Sequence, residues 1–348
     1  MKEHLQGMTL PKLEQIVTAK GGKSYRAGQL FQALVLDKPI ADITTLPQAL
    51  KQSLATDYSF NAVEIIKVLK SKDGSSKYLY KLNDDNIIEG VFIPQNYGNT
   101  LCISTQVGCK MHCAFCASGL DGFVRNLTVG ELAAQVYSAN VREGGNRQSR
   151  AVDNVVLMGA GEPLDNYDNV VEFLRLISDK KGLNISLRGI TLSTSGIAPQ
   201  IKRLADEGLP ITLAISLHNA KDSKRTALMP INKKYSINEV MAAAEYYFNK
   251  TRRRISLEYA LIEGKNTSIA DAQGLAELVK GKDYHINLIA LNEYKEGALQ
   301  AASTASIKRF MAELAKKGVN YTLRHSAGGD IDGACGQLRR SYLKGESN

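Results

Sequence analysis

No stretch of the 348-residue sequence approaches the ~18 consecutive apolar residues that a membrane-crossing helix needs. The opening, Met1 to Gln15, lacks the basic-then-apolar layout of a secretory leader. Both absences point to a cytoplasmic protein with no membrane partner. Cysteine is scarce and odd in number, five in all, and three of the five fall within eight residues. A secreted disulfide framework does not look like this, whereas a metal or redox site in a reducing compartment does. There is no low-complexity segment, and no internal repeat beyond a strand–helix rhythm. Acidic residues are outnumbered, 35 against 44 basic ones, for a net charge of +9. That excess suits a polyanionic partner such as nucleic acid, although charge alone moves the odds only modestly. Length and an ordinary 44% hydrophobic content allow one large α/β domain plus a small appendage.

Along the chain the hydrophobic period changes twice. Residues 1–60 read as a small helical domain, with Leu10, Leu13, Ile16 and Val17, then Leu30, Phe31, Leu34 and Val35, at helical spacing. Residues 61–97 read as a short β extension with an Asp73-Gly74 turn, carrying Lys67, Lys70, Lys72, Lys77 and Lys81. From about residue 98 to 324, apolar strands alternate with amphipathic helices. Strands are expected near 99–105, 154–159, 188–194, 211–217, 255–262, 285–291 and 319–324. Helices are expected near 128–143, 167–178, 198–208, 236–250, 268–281 and 304–317. Six βα units with strands buried on both faces predict a parallel barrel or partial barrel, with a doubly wound sheet as runner-up. Residues 325–348 form a Gly-rich tail.

Cys109, Cys113 and Cys116 make a C-x3-C-x2-C triplet directly after the first barrel strand. Three thiolates on one tight loop can ligate three irons of a [4Fe–4S] cluster, leaving the fourth iron open to a substrate's amino and carboxylate groups. Phe115 would help cover such a cluster. The plainer alternative is a zinc knuckle completed by His112 or Cys102, although a three-residue gap is unusual there. Other motifs fall at the C-terminal strand ends, where barrel active sites are built. They are Gly159-Ala160-Gly161-Glu162-Pro163-Leu164, Ser193 to Gly196, Ser216-Leu217-His218, and Asn292. Each alone reads as a turn or a cap; together on one rim they favour a shared cofactor. Cys102, on a strand, is the kind of cysteine that usually packs as a small hydrophobe. Cys335, flanked by glycines in the tail, is a candidate nucleophile, and Cys102 could meet it in a transient disulfide.

The triplet, the Gly-Glu-Pro-Leu motif, Ser-Leu-His and the run from Asp330 to Leu338 together resemble the RlmN/Cfr family of radical S-adenosylmethionine (SAM) RNA methyltransferases, nearly end to end. The resemblance implies an α/β fold: a partial (β/α)6 radical SAM barrel over residues 98–324. It adds a helical, RNA-binding accessory domain over 1–60, the β extension over 61–97 and a C-terminal active-site loop over 325–348. It implies a [4Fe–4S] cluster on Cys109, Cys113 and Cys116, and two SAM molecules per turnover. Gly161, Glu162, Ser193, Ser216, Leu217, His218 and Asn292 match the SAM-contacting positions. Cys335 matches the methyl carrier, Cys102 the cysteine that resolves the RNA–protein adduct, and Glu89 the proton acceptor. The implied reaction is methylation of adenine C2 in 23S rRNA and in some tRNAs, with an electron donor such as flavodoxin or ferredoxin and a monomeric enzyme. Pro163 favours C2 over the C8 of the Cfr branch. One departure is Leu291-Asn292-Glu293, where many relatives carry an aromatic before the Asn and a Pro after it. Basic candidates for RNA contact are Lys250, Arg252, Arg253, Arg254, Arg339, Arg340 and the lysines of the β extension. A methylthiotransferase would need three more cysteines than remain, a glycyl-radical activase gives no reason for Cys335, and a non-enzymatic iron–sulfur RNA-binding protein leaves the rim motifs idle.

Overall fold

The computed structural model describes residues 2–292, 298–324, 331, 337–343 and 345. Three helices open the chain: α1 (Leu10–Ala19), α2 (Tyr25–Val35) and α3 (Gln48–Asp57). Their apolar stripes, including Leu13, Val17, Leu30, Phe31 and Leu54, enter a core continuous with that of the barrel. The contact is close. A Cβ on Gly7 would lie 2.5 Å from the Gly130 amide, so the segment before α1 rests directly on a barrel helix.

The β extension is present as β1 (Val63–Lys70), β2 (Ser76–Leu82) and β3 (Ile87–Ile93), with Gly74 at φ +86° in the first turn. It is not an appendage. β3 pairs antiparallel with β4 (Thr100–Cys102), so the meander prolongs the barrel sheet itself. Then follow β5 (Asn154–Leu157), β6 (Ile190–Thr194), β7 (Thr212–Ser216), β8 (Ile255–Leu261), β9 (Tyr284–Ala290) and β10 (Tyr321–Arg324). From β4 to β10 every pairing is parallel. The ten strands lie side by side in strict chain order. A doubly wound sheet reverses its order at a switch point. No reversal occurs here, which excludes that alternative, and the outermost strands β1 and β10 do not pair with each other, which leaves a partial barrel.

The expected helices appear as α4 (Val129–Arg142), α5 (Tyr167–Ile177), α6 (Ala198–Asp206), α8 (Ile237–Thr251), α9 (Ile269–Val279) and α10 (Thr304–Lys316). Reciprocal capping explains three sharp starts: Thr128 with Glu131, Ser236 with Glu239, and Ser268 with Asp271. Two helices lie outside the sequence reading, α7 (Asp222–Leu228) and α11 (Gln337–Leu343).

The strands expected to be apolar on both faces are apolar on one. The pleat sends Leu192, Leu213, Leu257 and Ile286 outward under the helices. The opposite residues, Ser193, Ser216, Glu258 and Asn287, face the barrel interior, because that interior holds a polar-edged cavity rather than packed side chains.

Candidate active site

Beyond β4 a short hairpin, Gln106–Gly108 against Phe123–Asn126, pinches off the loop that carries the cysteine triplet. Its neck tolerates only glycine: Gly108 sits at φ +74°, and a Cβ there would fall 1.9 Å from the Gly122 carbonyl oxygen. The Cys109 N–H donates to that same carbonyl at 3.0 Å. The loop hangs over a cavity of about 300 Å³, and Cys109, Cys113 and Cys116 all line it. Burial pushes the Cys109 thiol up to about 12 and raises Cys113 well above its ordinary value. Such thiols hold their protons against solvent at neutral pH, and metal binding is what displaces them. Neither His112 nor Cys102 lines the cavity.

The strand ends supply the rest of the wall. Gly161, Glu162, Ser193, Ser216, His218 and Asn292 join the cysteines, together with Phe115, Met158 and Ile289. The Glu162 carboxylate is buried and accepts from the Leu164 N–H at 3.0 Å and the Ser195 N–H at 2.6 Å. Burial raises its pKa, while those backbone donors and hydroxyl contacts work the other way. His218 is neutral, because burial lowers its pKa to about 3. Its Nδ1 accepts from the Ala260 N–H at 2.9 Å, so Nε2 carries the proton. That buried Nε2–H has no partner among the described residues, and the ring stacks against Phe115 with centroids 4.3 Å apart. An orphaned donor, a buried carboxylate and three thiols around one space fit a cluster and a zwitterionic ligand.

Gly159 and Gly161 line the cavity and also permit a close backbone approach. Added Cβ atoms would lie 2.6 Å from the Ile103 carbonyl oxygen and 2.6 Å from the Gln106 side chain. The glycines let the end of β5 pack on the backbone leaving β4. Gly159→Ala is therefore expected to destabilise the fold by roughly 1–3 kcal/mol, because backbone on the far side cannot yield as a side chain would. Urea unfolding would show a lower midpoint at unchanged slope. A wild-type midpoint would mean that the two segments can move apart freely.

Several sequence candidates sit elsewhere. The Leu217 side chain is fully buried in the apolar core, so only its backbone serves the rim. Glu89 lies outside the main cavity, on the far side of the cysteine loop, beside Gly108, Ala117 and Asp121. It is paired with Lys77 at 3.4 Å and accepts from the Arg339 backbone N–H. Cys102 is 8% exposed and does not line the cavity, but the pairing Val91↔Cys102 puts it on the same sheet face as Glu89. Cys335 lies outside the described residues. Lys77, proposed as a basic contact, is wholly buried, and Lys70 and Lys81 pair with Glu143 and Asp85. Arg339 is occupied by the Ile87 carbonyl and Asp121. The run Lys250 to Arg254 precedes β8, at the end of the sheet opposite the cavity.

Sequence reasoning missed two groups. Glu258 is 4% exposed and lines the cavity; it accepts from Asn287 Nδ2 at 2.8 Å and lies 3.6 Å from Arg324 Nη1. A charged residue at an inward position of an apolar strand was the signal available for it. Arg225, on α7, is completely buried beneath the rim, and nothing in its sequence neighbourhood marks it.

Comparison with known proteins agrees with this geometry. The family model of the radical SAM superfamily matches residues 103–276. A Clostridium botulinum (strain Loch Maree) protein named "Probable dual-specificity RNA methyltransferase RlmN" is 47% identical, with 98% of this chain and 99% of that protein covered. The chain belongs to the RlmN family of radical SAM RNA methyltransferases. A Lachnospira eligens RlmN relative is 45% identical over 98% of this chain and 97% of its own. The crystal structure of a radical SAM methyltransferase from Sphaerobacter thermophilus superposes with a TM-score of 0.92 at 39% identity, covering 96% of this chain and 98% of that one. As a radical SAM methyltransferase of the RlmN type, the chain uses a [4Fe–4S] cluster and SAM, and its substrate is RNA. Among the described residues, no helix is long and apolar enough to cross a membrane.

Proposed function

We propose that this RlmN-family chain methylates C2 of an adenosine in the peptidyl-transferase region of 23S rRNA and the adenosine just 3′ of the anticodon in some tRNAs. Similarity over nearly the whole chain to proteins named dual-specificity RNA methyltransferases carries this reading. Adenine C2 lies between two ring nitrogens and is electron-poor, so it does not attack a SAM methyl group as a nucleophile. A radical route avoids that barrier. Cys109, Cys113 and Cys116 would hold the cluster, which would supply the electron for reductive cleavage of SAM to a 5′-deoxyadenosyl radical. Glu162 offers an acceptor to the SAM ammonium group, and the His218 Nε2–H a donor. Ser193, Ser216, Gly161 and Asn292 complete the SAM wall, with the Leu217 backbone behind it.

Two SAM molecules are used. Cys335 takes a methyl group from the first by displacement. A hydrogen atom is then taken from that S-methyl group, and the methylene radical adds to the adenine carbon. Glu89 removes the ring proton as the adduct radical gives up one electron, for which the oxidised cluster would be the acceptor. The Cys102 thiolate then attacks the Cys335 sulfur, forming a Cys102–Cys335 disulfide as the S–CH2 bond breaks and the released carbon takes up a proton to become the methyl group. Two features support the last steps: Glu89 and Cys102 share the inner face of the sheet, and α11 docks through Arg339 onto Glu89. The enzyme works as a cytoplasmic monomer fed by a one-electron donor such as flavodoxin or ferredoxin, and residues 1–60 grip RNA as an accessory domain.

The deciding measurement is peptide mass spectrometry of protein purified anaerobically with its cluster. The peptide bearing Cys335 is expected to be heavier by one methylene. A carrier never methylated, even after incubation with SAM, would end the two-SAM route. Mapping the modified adenosine in RNA from a complemented knockout is expected to give the 2-methyl base, and an 8-methyl base would move the chain to the other branch.

A further inference from the structure

Arg225 is the largest fully buried side chain described. Its guanidinium makes four hydrogen bonds: Nε to the Leu217 carbonyl at 3.2 Å, Nη1 to Asn232 Oδ1 at 2.7 Å, and Nη2 to the Ser195 and Ser216 carbonyls at 2.7 and 3.0 Å. Three of these acceptors are main-chain carbonyls at the ends of β6 and β7. None is a carboxylate, and among the described residues Arg225 forms no ion pair. The acid nearest in the network, Asp222, makes no direct hydrogen bond to Arg225; Asn232 bridges them, its Nδ2 donating to Asp222 Oδ1 at 2.8 Å. A buried guanidinium with no directly paired carboxylate is costly to hold, and an anion on its other side would offset that cost.

The other end of α7 shows where that anion belongs. The Ala114 N–H, within the cysteine loop, donates to the Leu228 carbonyl at 2.9 Å. Leu228 and Met229 pack against Cys113 and Phe115. The Met229 N–H in turn donates to the Arg225 carbonyl at 2.7 Å. One short helix therefore holds the SAM rim through Arg225 and the cysteine loop through Leu228.

We propose that Arg225 is a positioning residue for the SAM rim and, at the same time, the buried positive charge that favours the reduced state of the cluster. The proposal rests on the cluster sitting on Cys109, Cys113 and Cys116. Three thiolates on a doubly positive cluster core leave one net negative charge, and one-electron reduction adds a second. A fixed cation nearby stabilises the second state more than the first, and net charge and burial are the levers that set such potentials. A fork of five fixed donors also does what lysine cannot, aligning carbonyls from two strands at once.

The test is a redox titration of reconstituted holoenzyme, followed by electron paramagnetic resonance with dithionite as reductant, alongside SAM affinity measured by equilibrium dialysis. Arg225→Gln removes the charge. It is expected to lower the reduction equilibrium constant about tenfold, a shift of 59 mV for one electron. Arg225→Lys keeps the charge and loses the fork. It is expected to keep the wild-type potential while weakening SAM binding about tenfold. An Arg225→Gln holoenzyme with unchanged potential overturns the electrostatic role, and an Arg225→Lys holoenzyme with unchanged SAM affinity overturns the positioning role. If glutamine blocks cluster loading and lysine permits it, the charge requirement is met at the loading step; if both block it equally, the charge assignment is overturned. A wild-type protein that takes up no cluster would instead sink the ligand assignment itself.

Discussion

Cys102→Ala is expected to stall after one turnover with RNA covalently attached to the chain. In the proposed route, addition of the methylene radical ties Cys335 to the base through a thioether-type link. Freeing the base needs a second thiolate able to approach that sulfur closely. Once the cluster takes three cysteines, Cys102 is the one that remains besides the carrier. Its place fits: it ends β4, faces the barrel interior as Glu89 does, and lies seven residues before Cys109. The variant should therefore show a ribonuclease-sensitive shift on a denaturing gel. Cys335→Ala should show no shift, because the carrier is gone, and the double variant should behave like Cys335→Ala. Normal turnover by Cys102→Ala without an adduct would reduce Cys102 to a packed strand residue.

Replacing any one of Cys109, Cys113 and Cys116 with Ala is expected to abolish SAM cleavage, and the triple variant to fall from about four irons per chain to none. The loss should be chemical rather than global. The neck of the loop is held by backbone bonds between Gly122 and Cys109, and the main core lies behind it, so far-ultraviolet circular dichroism should stay near wild type. The large loss follows from the buried setting: two thiolates left around a cluster cannot make up for a third iron–sulfur bond. A triple variant that kept both its iron and its cleavage activity would remove the cluster from this loop.

Much of this was legible before any coordinates. The strand–helix rhythm located each barrel unit to within a few residues, because long periodic segments bury one face whatever their neighbours do. The cysteine spacing and the rim motifs were legible because backbone topology brings the C-terminal strand ends together. What escaped has a common cause. Arg225 owes its importance to carbonyls contributed by other segments, and no local pattern announces an arginine buried by its partners. Lys77 looked like one more exposed lysine of a basic hairpin, yet its partner Glu89 lies on the neighbouring strand. Gly159 stands in a rim motif and lines the cavity, but no local pattern shows that a Cβ there would meet the backbone of Ile103. Glu258 was readable in principle, since a lone acid among apolar strand residues is costly without a purpose.

The unbroken strand order has a consequence for how the molecule is made. Each strand pairs with the one just before it, so the sheet can be laid down in the order in which the ribosome releases the chain. Cys109, Cys113 and Cys116 emerge near the start of the barrel, while Asn292, Arg324 and α11 come last. The cluster seat is thus built early and its far wall late. Arg339, on the last helix, then reaches back to Glu89 on the third strand, a contact spanning 250 residues. A nascent enzyme truncated before α11 would own a nearly complete barrel and lack the Arg339 contact to Glu89.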